Sequence, residues 1–138
     1  MPAAGYVVRQ LTVKLKTAAG SLTEYNTAVL GIKETPSRST VQTVVASGEV
    51  MVDSSVTTWG IEISALADYT TGSLLRLLLD NDGAKGAQIV WNPDPVGNPT
   101  RTRTATVQLL APDIDSTVGG QAAFTVVLPV VGAIVQVN

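Results

Sequence analysis

Residues Trp59-Gly60-Ile61-Glu62-Ile63-Ser64 alternate without a break, setting Trp59, Ile61 and Ile63 on one face of an extended chain and Gly60, Glu62 and Ser64 on the other. This is the pattern of a half-buried strand, and other segments repeat it. From Val7 to Lys16 the apolar positions are Val7, Leu11, Val13 and Leu15, interrupted by Arg9, and from Arg103 to Leu110 they are Ala105, Val107 and Leu109. Gln121 to Val130 places Ala122, Phe124, Val126, Leu128 and Val130 together and carries a largely apolar second face, which predicts burial on both sides. Thr27 to Lys33, with Leu30 and Ile32 on one face, Val41 to Val45, Glu49 to Asp53, and Gln88 to Trp91 also read as strands.

Prolines and glycines set the expected limits. Pro36 makes Glu34 to Ser39 an exposed connection, and with Gly48 as a turn residue the stretch Lys33 to Ser54 reads as a long hairpin reaching away from the core. Asn92 to Pro99 is a surface loop, and Asp113 to Gly120 breaks the alternation. Pro129 cannot donate to a ladder, so the last strand is expected to end or lie at an edge there and leave Val131 to Asn138 as an apolar arm, whose loss would leave a folded monomer that no longer polymerises.

Period 2 gives way once. Over residues 71–80, Leu74, Leu75, Leu78 and Leu79 fall at helical spacing, Thr70 or Thr71 can cap the first turn, and Asn81-Asp82-Gly83 can close the last. A helix this short is unstable alone, so its leucines must dock on the sheet. The predicted core is therefore Trp59, Ile61, Ile63, Leu74, Leu75, Leu78, Leu79, Trp91, Phe124, Val126 and Leu128. About seven strands and one helix in a single domain predict a mainly β fold, a β-sandwich or small barrel with one flanking short α-helix.

Composition excludes much of chemistry. The 138 residues contain no Cys and no His, which removes thiolate nucleophiles, disulfides, the usual transition-metal ligands and the commonest general base. A formal charge of -2 gives no basic surplus for holding nucleic acid. The opening Met1-Pro2-Ala3-Ala4-Gly5 has no export-leader pattern, and the longest apolar run, Ala122 to Val135, is too short for a spanning helix.

Three clusters could carry chemistry. Asp80-Asn81-Asp82-Gly83 resembles the start of a calcium loop but lacks its remaining ligands, so it reads as a helix C-terminal turn. Asp113 and Asp115 read as turn residues, although a carboxylate pair is the one remaining route to hydrolysis of a glycoside. Arg101 and Arg103 could meet an anion, and otherwise read as charges discouraging wrong strand pairing at an exposed edge. No enzyme, cofactor or metal is expected.

The run from Trp59 to Tyr69, the helix segment Ser73 to Gly83, the Gly119-Gly120 turn and the closing Phe124-Thr125-Val126-Val127-Leu128-Pro129-Val130-Val131-Gly132 together resemble the major tail tube protein of long-tailed bacteriophages. The resemblance covers most of residues 59–132. It implies a homo-oligomer: hexameric rings stacking into a virion tail tube through which DNA passes without sequence-specific binding. Assembly in the host cytoplasm, no membrane, and contact with tape-measure, terminator and baseplate proteins are also implied. Subunit contacts would fall on the N-terminal arm, with Val7 and Arg9, on the hairpin region, with Glu34, Pro36, Arg38 and Val41, and on the C-terminal arm, with Val131, Ile134 and Val135. Competing readings are a tail terminator or head-tail connector ring, and an immunoglobulin-like surface-binding module.

Overall fold

The computed structural model describes residues 10–54, 57–115 and 122–137, apart from the side chains of Ser54 and Asp115. Ten strands and one helix follow in order: β1 (Thr12–Lys16), β2 (Thr23–Glu24), β3 (Val29–Ser37), β4 (Thr40–Val44), β5 (Val50–Ser54), β6 (Thr58–Leu66), α1 (Leu74–Asp80), β7 (Ala87–Asn92), β8 (Thr102–Val107), β9 (Asp113–Asp115) and β10 (Ala123–Val137). The fold is mainly β with one short flanking helix, as the alternation and the single leucine stripe predict.

All strand pairs are antiparallel, and β10 organises them. Its first half, Ala123 to Pro129, pairs with β6, while Ala123 to Thr125 also pair with β9 on the other side. Its second half, from Val130 to Val137, pairs with β8. One wing is thus β9-β10-β6-β3 and the other is β2-β1-β7-β8-β10, with β10 common to both. Inward residues of both wings meet in one core: Ile61, Ile63, Ala65, Phe124, Val126 and Leu128 from the first, and Val13, Leu15, Ile89, Trp91, Ala105 and Val107 from the second.

The prolines do not act as expected. Pro36 lies within β3 in register with Trp59, on an outer strand where a missing N–H is tolerated. Pro129 lies inside β10 opposite Gly60. The expected C-terminal arm is therefore sheet: Val135, Gln136 and Val137 pair with Thr104, Arg103 and Thr102, and Ile134 packs against the core. Between Val131 and Val135 the register shifts, and Gly132 adopts φ +85°, a conformation side chains resist. Removing residues 131–138 would strip β8 of its pairings at Thr102, Arg103, Thr104 and Thr106, so the expected arm is part of the sheet and not a tail beyond it. The second face of β10 is also open, with Thr125, Val127 and Pro129 exposed, so this strand is not buried on both sides.

Helix α1 is capped by Ser73, not Thr70 or Thr71: the Ser73 hydroxyl oxygen accepts from the Arg76 N–H at 3.3 Å. At its end the Asn81 side chain donates to the Leu77 carbonyl at 2.9 Å, and the Gly83 N–H donates to the Leu109 carbonyl at 2.7 Å, tying the helix end to the segment after β8. Leu74, Leu75 and Leu78 are buried; Leu79, expected in the same stripe, is 37% exposed. Leu79 lies within the helix, but at about 100° per residue it turns past Leu75 to the margin of the face that Leu74, Leu75 and Leu78 share.

Trp59 also departs from the predicted core. It keeps the phase of Ile61 and Ile63 but is only half-buried, because it lies one inward position beyond them, toward the open end of the sandwich. Leu30 is the extra residue of a bulge in β3, between the Val29 and Gly31 pairings, and is 65% exposed.

Across that open end runs an ion pair. Glu34 shares the inward face of β3 through its pairing with Ile61, and Arg103 shares the inward face of β8 through its pairing with Trp91. Glu34 Oε1 accepts from Arg103 Nη2 at 2.6 Å and Nε at 3.0 Å, and Gln136 Oε1 accepts from Arg103 Nη1 at 2.6 Å. Arg103 is thus neither an exposed edge charge nor free for an anion.

Three outcomes follow. Leu78→Ala should destabilise the fold by ~2–5 kcal/mol through lost burial and a residual cavity, and Leu79→Ala by well under half of that, in urea unfolding. Arg103→Ala should cost about 1–2 kcal/mol, and combining it with Glu34→Gln should cost less than the sum of the single changes. Burial pushes the Tyr25 phenol above its ordinary 10.0, against a smaller lowering by a hydrogen bond with Thr23. The folded chain therefore favours the neutral phenol: that stability is whole below the unfolded pKa and declines as pH rises through the folded one. The stability of wild type should fall more steeply above about pH 10 than that of Tyr25→Phe.

Candidate assembly surfaces

Strand β3 is the outer strand of its wing: among the described residues β6 is the one strand it pairs with. Its nine residues leave a long row of backbone groups on the far side, the feature by which a sheet accepts a strand from another chain. Pro36, the bulge at Leu30 and the exposed Lys33 interrupt that row, so it favours a matched partner over indiscriminate pairing.

The hairpin occupies the second part of the expected Lys33 to Ser54 stretch. Residues 33–37 belong to β3, and the free-standing hairpin is β4-β5 alone, a two-stranded sheet separate from the eight-stranded one. Its turn is closed by Val45 N–H donating to the Glu49 carbonyl at 3.0 Å and Gly48 N–H to the Val45 carbonyl at 2.8 Å, with Gly48 at φ +87°. Register puts Val44 opposite Val50 and Gln42 opposite Val52, so one face carries three valines; Val41 and Met51 lie on the other. All five apolar side chains are 58–68% exposed. A two-stranded ribbon is marginal in water without something to pack against, so this one lacks its own cover within the described chain.

The expected contact residues divide accordingly. Pro36, Arg38, Val41, Val131 and Val135 are exposed. Glu34 is committed to Arg103, and Ile134 packs against the core. Val7 and Arg9 lie outside the described residues. The stripe on the outer face of late β10, where Val137 joins Val131 and Val135, is an apolar surface that strict alternation around Pro129 concealed.

Two clefts open beside β3. The larger, of about 720 Å³, is lined by Leu11, Val29, Leu30, Ile32, Pro93 and Val96 among others, with no ionisable side chain. The second, of about 460 Å³, holds Glu34, Asp94, Arg101 and Arg103. Glu34 and Arg103 neutralise each other, and Asp94 is a loop brace, accepting from the Gly97 N–H at 3.1 Å and the Asn98 side chain at 2.9 Å. Asn92, only 2% exposed, completes that brace: its amide donates to the Asn98 carbonyl at 2.8 Å and its oxygen accepts from the Asp94 N–H at 2.9 Å. These groups hold the loop instead of facing a substrate.

The remaining acidic clusters are also structural. Asp82 accepts from the Ala111 N–H at 2.9 Å, fixing the turn after α1. Asp113 lies in β9, not in a turn, paired with Thr125. The exposed Asp68 carboxylate accepts from the Thr70 N–H and hydroxyl, which lowers its pKa. Among the described residues no three acidic, His or Cys groups come together as a metal site, and no helix is long and apolar enough to cross a membrane.

No family model matches the sequence, and no curated protein matches it. Solved structures do match. A chain from the tail of an empty gene transfer agent particle, obtained by helical refinement in C6 symmetry, superposes with a TM-score of 0.62 at 13% identity, covering 95% of this chain and 98% of that one. A chain from the virion of a native gene transfer agent particle gives 0.61 at 14% identity, covering 96% and 98%. A chain from the sheath/tube terminator structure of an extracellular contractile injection system in its extended state gives 0.62 at 10% identity, covering 97% of each. At these identities the likeness establishes a shared fold: over nearly its whole length, this chain is built as chains of those tail assemblies are.

Proposed function

We propose that this chain is a structural tail protein that assembles with copies of itself into hexameric rings, and that the rings stack into a tube conducting DNA. The observation that carries the reading is an end-to-end fold match to chains of tail particles, one of them in C6 symmetry, in a molecule whose described surface retains an unpaired nine-residue edge and an uncovered apolar hairpin. A closed ring gives each such edge a partner and stops pairing from running on. The site is a set of edges and not a reaction centre, so the function is assembly, not catalysis. Tape-measure, terminator and baseplate proteins are the partners such a tube requires.

A second reading is a terminator or connector that forms one ring and does not polymerise, favoured by the likeness to the sheath/tube terminator structure. Negative-stain microscopy of purified protein separates the two: long tubes are expected for the tube protein, isolated rings for the terminator, and a strictly monomeric protein at high concentration refutes both. Val50→Lys with Val52→Lys should leave unfolding stability within about 0.5 kcal/mol of wild type, since both side chains are exposed, and abolish assembly. Unimpaired tubes from that variant would remove the hairpin from the interface.

A further inference from the structure

The two wings present outer faces of different chemistry. On the β9-β10-β6-β3 wing the register aligns Gly31, Ser64 and Thr125, then Lys33, Glu62 and Val127, then Thr35, Gly60 and Pro129 across three strands. This face is glycine, hydroxyl and short side chains, with no aromatic group. Ser64 and Thr125 hydroxyls bond each other at 3.3 Å. Its lysine lies opposite a glutamate, and Asp113 adds a second carboxylate, so the described charge is net negative. Gly60 is held small: a Cβ there would stand 2.9 Å from Val127 Cγ1. The other wing's outer face bears Lys14, which Glu24 opposes at 3.7 Å, and Lys16, which lies opposite the uncharged Gln88, together with exposed Val131, Val135 and Val137.

We infer that the outer face of the β9-β10-β6-β3 wing is the wall that duplex nucleic acid slides past, and that the opposite face turns away from it. The inference rests on the assembly reading above and assigns its conduit to one surface. A wall that passes a polyanion must offer neither unopposed cations, which bind phosphates by releasing counterions, nor aromatic planes on which bases stack. This wing meets both conditions, and its β3 edge can carry the surface on into a neighbouring copy. The opposite wing fails the first condition at Lys16, which no carboxylate opposes across the ladder, and its valine stripe suits contact with protein.

The chain has no cysteine, so single cysteines report position cleanly. Thr125→Cys and Thr106→Cys place one exposed thiol on each outer face. With dispersed protein both should react with a small maleimide and with a bulky polyethylene-glycol maleimide. In assembled tubes Thr125→Cys should lose reaction with the bulky reagent and keep it with the small one, while Thr106→Cys gains no such selective protection. A Ser64→Lys/Thr125→Lys tube should retain duplex DNA at low salt and release it as salt rises, where wild-type tubes retain none. Tubes in which Thr106→Cys shows the selective protection and Thr125→Cys does not, or lysine tubes that ignore DNA, overturn this assignment alone. Wild-type protein that forms no ring or tube overturns the assembly reading and the wall with it.

Discussion

Strand β10 is hydrogen-bonded into both wings, and that sharing constrains everything else. Because one continuous backbone feeds β6 and β9 with its first half and β8 with its second, the two wings cannot separate without breaking its ladder. Their inward faces are therefore forced to pack on each other, and Phe124, Val126 and Leu128 become the inner wall of one core. Beyond the transfer from β6 to β8 at Pro129 and Val130, the pairing with β8 shifts register between Val131 and Val135, where Gly132 adopts its positive φ. Helix α1 then seals the core with three leucines and is fastened by backbone bonds to the segment leaving β8.

The same economy leaves surfaces unfinished. A wing that ends in β3 has a bare edge, and a hairpin held only by its own cross-strand bonds keeps five apolar side chains in water. In a solitary protein these features invite aggregation. Proline, a bulge and a lysine along β3 restrict what can pair there, so the edge combines availability with selectivity. Meanwhile the clefts offer no free ionisable group in a substrate-like position, because each carboxylate or guanidinium that could act is already tied into a brace, with Arg101 at the exposed rim.

Much of the fold was legible in the sequence, and the parts that were not share a cause. Period 2 located the central strands because their burial is one-sided, and the leucine spacing located α1. Leu79 shares the helix with the buried leucines but sits at the margin of their stripe, beside Leu75 and away from Leu74 and Leu78, which spacing alone does not separate. Trp59 was misjudged because alternation reports which face a residue occupies, not how far along the strand the core extends. Pro36 reads as part of an exposed connection and Pro129 as a strand end or edge, yet a proline is harmless wherever its missing N–H would have pointed outward, and that is a property of neighbouring strands which no local pattern carries. Nor could the sequence disclose that Glu34 and Arg103, sixty-nine positions apart, meet across the sandwich mouth.

That meeting has a mechanical side. Strand β3 is attached to its own wing only by β6, so a tug on its free border would peel it away one backbone bond at a time. The guanidinium of Arg103, gripping Glu34 and Gln136 together, gives the strand a second anchorage in the opposite wing. Load entering at that border therefore has a second route, through one side chain to β8 and the end of β10, beside the ladder to β6.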